Sequence, residues 1–138
     1  MSFTASATRI GDGLRHEVDV NGRHTIVTDE PERLGGTDTG PAPHELLPAT
    51  LAACVSTTIA MYAARKGWDL GEIRVDVAYD NEAEPRRFDV TLHLPGGLEP
   101  DQVARIQRVA RSCPVSRALE AGFAFEDHTV VAEPALTA

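Results

Sequence analysis

The sequence predicts an α+β domain in the order βββ-α-ββ-α-β, and three observations carry that reading. From Pro43 to Gly67, apolar residues recur at Leu47, Leu51, Val55, Thr58 and Met61 or Tyr62, the three-and-four spacing of a helix. On either side of it, short segments alternate apolar and polar residues with the period of half-buried strands. Asn21-Gly22, between two such segments, is the strongest short-range hairpin signal. Ala49, Ala52, Ala53, Ala60, Ala63 and Ala64 keep the other faces of the long helix narrow, so it demands cover on most sides.

In chain order, Phe3 to Ile10, Leu14 to Val20 and Arg23 to Thr28 read as a three-stranded meander. Asp29 to Ala42, with Pro31, Gly35-Gly36 and Gly40-Pro41, reads as a long loop of the kind that is usually functional or disordered. Pro43 opens the central helix; Pro48 removes a donor and should kink it or split off a short first segment. Lys66-Gly67 ends it. Ile73 to Tyr79 and Phe88 to Leu94 form a hairpin, and Pro100 to Ser112 a helix with Val103, Ile106, Val109 and Ala110 on one face. Pro114 starts a short helical segment over Val115 to Ala121, and Phe123 to Val131 reads as a last strand before a frayed tail, Glu133 to Ala138.

With 138 residues, no internal repeat and no linker, residues 1–138 are expected to be one domain. The net charge of -8 argues against nucleic acid or an anionic membrane as partner. No apolar run is expected to approach the roughly 20 residues of a membrane span, and the N-terminus lacks a signal-peptide pattern, so the expected location is cytoplasmic. Two cysteines in a reducing compartment are more often free or catalytic than a permanent staple.

The cysteines carry the chemistry. Cys54 lies on the apolar stripe of the central helix, three residues after Leu51, and a buried helical cysteine is most often a small core hydrophobe. Cys113 changes the weighing, because it opens a helical segment whose outward N–H groups favour thiolate. Arg105, Arg108, Arg111 and Arg117 crowd it, though charges at this density usually form a solvated face. The residues alone leave both readings open: a core thiol, or half of a two-cysteine redox site. Close ligand pairs for zinc, a glycine-rich phosphate loop and a nucleophile elbow around Ser56 or Ser112 are all missing, and Trp68 reads as a packing plug. No cofactor and no metal are expected.

Two stretches, DEPERLGGTDTGPAPHELLPATLAACVS and RIQRVARSCPV, resemble the OsmC/Ohr family of osmotically inducible and organic hydroperoxide resistance proteins. The LGG segment, the P-x-E-L-L helix start, A-A-C and C-P-V fall in family order. The resemblance implies an intertwined homodimer, with each long helix between two sheets and the site at the subunit boundary. It also implies a cysteine-based peroxidase acting on organic hydroperoxides: Cys54 attacks the peroxide, Cys113 closes a disulfide with the resulting sulfenic acid, and a dithiol reductant, a small thiol or lipoyl-type donor, restores both. Leu47, Leu51 and His44 are the expected substrate-binding residues. The alternative within the family is a non-catalytic dimer that binds a small apolar ligand or a partner thiol.

The chain departs from the hydroperoxide-resistance branch in the shell around the thiol. That branch has glutamate directly after the helix-opening proline; here His44 stands there and Glu45 follows, a rotation of about 100° on a helix. A thiol on an apolar helix face resists ionisation, so the chemistry needs a cation from outside the helix. Arg65 and Lys66 lie three turns too far along. Arg15 is the expected cation, Arg23 the reserve, and Glu45 the carboxylate that orients the guanidinium.

Overall fold

The computed structural model describes residues 2–134. Alternation near the N-terminus builds an antiparallel meander of β1 (Ala5–Arg9), β2 (His16–Val20) and β3 (His24–Thr28). Val18 pairs with Ala7 on one side and Ile26 on the other. Asn21 and Gly22, at φ 56° and 70°, turn the chain between β2 and β3, the conformation an Asn-Gly pair favours. Every residue of β1 is exposed, and the meander packs little against the helices of its own chain.

The loop after β3 is ordered around one buried carboxylate. Asp29 accepts hydrogen bonds from the backbone N–H groups of Glu30, Thr37 and Thr39 and from the hydroxyls of Thr37 and Thr39, the hydroxyls at 2.7 Å. Those donors hold its carboxyl far below the usual carboxylate range. The folding is tight enough to require glycine at two positions. A Cβ at Gly36 would come within 1.9 Å of the Glu30 carbonyl, and one at Gly40 within 2.6 Å of the Val27 carbonyl. The glycines read as punctuation in the sequence are the residues that let the backbone close around Asp29.

A 3-10 turn over Pro43–Glu45 precedes α1 (Leu46–Lys66). Pro48 falls in the first turn of α1, where its missing N–H had no helical partner to lose, so the chain splits off a short first segment instead of kinking. Gly67, at φ 71°, caps the other end through the Ala63 and Ala64 carbonyls. The buried ridge of α1 is Leu51, Val55, Ile59 and Ala63, a strict i, i+4 series. This corrects the expected stripe: Ile59 takes the interior position expected of Thr58, while Leu47 and Met61 are exposed. By length and composition the helical stretch from Pro43 to Lys66 could cross a membrane, contrary to the expectation that no segment approaches a span. Its ridge instead packs against strand and helices, making it a core helix.

β4 (Arg74–Asp80) and β5 (Arg87–His93) form the expected hairpin, with Val77 opposite Val90. α2 (Pro100–Arg111) buries Ile106 and Ala110, and α3 (Pro114–Ala121) follows after a break at Ser112 and Cys113. α1 lies against β4, α2 and α3. The expected last strand is absent: from Phe123 to Val131 the chain pairs with no strand among the described residues, and Phe125 and Val130 are 83% and 95% exposed. Alternation favours an extended backbone, but a strand also needs to hydrogen-bond to an edge, and among the described residues this segment meets none. The end of the expected frayed tail, residues 135–138, lies outside the described residues.

Ile59 is fully buried in the ridge. Ile59→Ala should lower the unfolding free energy by about 2–5 kcal/mol in denaturant titration; a change within 0.5 kcal/mol, roughly the scatter of surface substitutions, would contradict this core assignment.

Candidate functional site

Cys54 directly precedes the ridge residue Val55, so it sits on the flank of the buried face and is half-buried. Cys113 arrives from the other side. It is the N-cap of α3, with extended backbone (φ -62°, ψ 142°), and it is fully buried in the cluster that contains Leu51, Val55, Ile59 and Ile106. Cys54 packs against that same cluster. Fifty-nine positions apart in sequence, the two free thiols are neighbours in space.

Opposing effects act on Cys113. Burial pushes its thiol up, the Ser116 N–H donating to Sγ at 3.3 Å pulls it down, and the neighbouring Cys54 thiol adds a further upward push. Burial wins. The helix N-terminus expected to favour thiolate does reach the sulfur, but in a dry site it only offsets part of the desolvation.

A cavity of about 620 Å³ lies between α1, β5 and α2, walled by Leu51, Val55, Val90, Leu92 and Val103, with Gln107, Arg111 and Ser116 as polar lining. Neither sulfur lines it; its walls Leu51, Val55 and Ala110 belong to the cluster in which the thiols meet. A smaller recess of about 190 Å³ shares Leu51, Arg111 and Ser116 and adds Arg86, Phe88, Leu119 and Glu120. The β5 and α2 lining was not singled out from the sequence. Its signal was there, in the alternation of Val90 and Leu92 and the helical spacing of Val103, Gln107 and Ala110, but nothing local says that these faces meet.

The remaining expected site residues divide. Leu51 is buried at the site and lines both recesses. Leu47, one turn earlier, is 39% exposed and lines neither. His44 meets Tyr79 edge-on at 5.4 Å, and Tyr79 stacks on Phe88, so it reaches the smaller recess only through that stack. Glu45 turns back to accept from the Ala42 N–H at 2.8 Å, a capping contact, and among the described residues it orients no guanidinium. Arg15 and Arg23 are exposed on the meander, away from the helices of this chain, and form no ion pair among the described residues. Arg105 and Arg111 are held by Asp101 and Glu120, as a solvated helix face would hold them. No group of three or more metal-ligating side chains occurs among the described residues.

The sequence profile of OsmC-like proteins matches residues 36–126, from the glycines of the Asp29 loop past the end of α3. The chain belongs to the OsmC-like family. Solved structures agree with that placement. An osmotic stress induced and detoxification response protein from Psychrobacter arcticus 273-4 is 26% identical, with a TM-score of 0.70 over 85% of this chain and 87% of that one. An OsmC-like protein from Mycoplasma pneumoniae, 17% identical, reaches 0.70 over 87% and 88%. An organic hydroperoxide resistance protein OsmC from Legionella pneumophila, 24% identical, reaches 0.60 over 86% and 89%. The last two carry the OsmC-like fold alone. No curated protein sequence matches the chain.

Because burial holds the native Cys113 thiol protonated beyond its ordinary value of about 8.5, stability should be full below that pH and decline as pH rises through the native value. Cys113→Ser keeps a capping atom and does not titrate there, so its denaturant midpoint should fall less between pH 8 and 10 than the wild type's. Parallel curves would count against the assignment.

Proposed function

We propose that this OsmC-like protein is a thiol peroxidase that reduces organic hydroperoxides. The observation that carries the reading is the meeting of Cys54 and Cys113 in one apolar cluster, whose residues Leu51 and Val55 also wall a cavity. The Cys54 thiolate attacks the terminal peroxide oxygen, the O–O bond breaks, and the alkoxide leaves as an alcohol, with Cys54 oxidised to sulfenic acid. Cys113 attacks that sulfur, expelling water and forming a Cys54–Cys113 disulfide, which a dithiol reduces through a mixed disulfide. A cavity walled by Leu51, Val55, Val90 and Leu92 favours alkyl peroxides over hydrogen peroxide. The name of the Legionella pneumophila structure, an organic hydroperoxide resistance protein, is consistent with this chemistry.

The working unit is an intertwined homodimer. Supporting this, the meander is left almost unpacked and the extended segment after α3 exposes Phe123, Phe125, Val130 and Val131. In the dimer, the meander of one protomer covers α1 of the other, which brings Arg15, or Arg23, beside Cys54. The same cavity also favours a second reading, a non-catalytic dimer that holds a small apolar ligand.

Peroxide consumption separates the two. With cumene hydroperoxide and dithiothreitol, wild type should turn over and Cys54→Ser should fall to the rate of the dithiol alone; with peroxide and no added thiol, Cys113→Ser should stop at a sulfenic acid that dimedone traps. Ligand binding without consumption in the wild type would favour the second reading.

Assembly has its own measurement. Light scattering at micromolar concentration should give twice the 14.8 kDa chain mass, with an interface above the roughly 2,000 Å² of obligate pairs. A monomer would rule out the shared site.

A further inference from the structure

α3 is eight residues long and buries none of them, well short of the roughly 12 residues at which an isolated helix becomes even marginally stable in water. Three contacts hold it. Val115 and Leu119 rest on the core cluster. At its far end Glu120 is tied to Arg111 at 2.7 Å. At its near end the Ser116 N–H donates to Cys113 Sγ. That capping sulfur is the one that lies beside Cys54. Closing a disulfide draws it to about 2.0 Å from the Cys54 sulfur. The bond also replaces a thiol, which is free to turn toward the helix N-terminus, with a sulfur whose position the disulfide fixes.

We propose that α3 is a redox-coupled element: reduced Cys113 caps it, and the Cys54–Cys113 disulfide withdraws the cap and loosens it. The proposal rests on the disulfide step of the peroxidase reading. In that step the Cys54 sulfenic acid and the Cys113 thiol give the disulfide and water; on return a dithiol supplies two electrons and two protons. Binding and conformational equilibria that share a state are reciprocal. If oxidation loosens α3, then whatever loosens α3 favours oxidation. Leu119 and Glu120 wall the smaller recess beside Leu51, so a loosened α3 opens the site in the state that must admit a reductant. The capped helix closes it in the state that meets peroxide.

Ser116→Pro tests the link by deleting the donating N–H at the third helical position, a place where α1 already carries Pro48. In redox titrations against dithiothreitol, with thiols counted by alkylation and mass, the equilibrium should shift roughly fivefold toward the disulfide, the value of a typical lost cap. That corresponds to about 20 mV. In the wild type, α3 amides should exchange roughly fivefold faster in the oxidised than in the reduced protein. Should Ser116→Pro not fold, reduced Cys113→Ala compared with Cys113→Ser supplies the same answer, since serine retains a capping atom and alanine does not; equal exchange in α3 would overturn the proposal. A disulfide that forms with no change in α3 exchange or in the redox equilibrium overturns the proposal and leaves the peroxidase reading standing. Failure of the wild type to form the disulfide at all brings down both.

Discussion

Ile59 of α1 and Ile106 of α2 are both completely buried, and the crossing of these two helices is the constraint on which the rest of the structure depends. An i, i+4 series produces one nearly straight ridge along a helix, and a ridge of this kind seats between the side chains of a neighbour. Here the ridge is Leu51, Val55, Ile59 and Ala63, and the neighbour presents Ile106 and Ala110, with Cys113 just beyond the end of α2. Once this crossing is set, Cys54 has little freedom. It precedes a ridge residue, so it faces the seam obliquely and meets the chain where α2 gives way to α3.

Much of this architecture was legible in the residues, because it follows from local periods and punctuation. The meander turn at Asn21-Gly22, the split before Pro48, the stop at Gly67 and the start at Pro114 each depend on backbone chemistry within a few positions. The errors arose where a partner decides. Thr58 and Ile59 both fit a helical stripe, and only the neighbouring helix selects the second. Phe123 to Val131 alternates like a strand, but alternation does not provide an edge. The Asp29 loop was the least legible. Thr37 and Thr39 look like ordinary polar loop residues until a single carboxylate gathers both hydroxyls and both amides.

The site is electrostatically divided. Its dry side, built from Leu51, Val55 and β5, raises the cost of any charge placed there, and the upward push on Cys113 is a direct expression of that cost. Its wet side carries Arg86, Arg111 and Glu120, with Arg111 already neutralised by Glu120. The chain therefore has guanidinium groups at the recess that shares Leu51 and Ser116 with the site, and among the described residues none of them bonds to either sulfur. The helix N-terminus does reach a sulfur, and it acts through the backbone N–H groups of Ser116 and Val115 rather than through a full charge.

The distance in sequence between the two thiols also has a consequence for synthesis. A chain emerging at about 5–20 residues per second makes Cys54 roughly 3–12 s before Cys113. During that interval the nascent chain carries a single thiol with no internal partner. The pair is assembled only when α2 and α3 can dock on α1, after both thiols have emerged. An oxidant encountered before then meets a Cys54 with no second thiol of its own chain to close a disulfide.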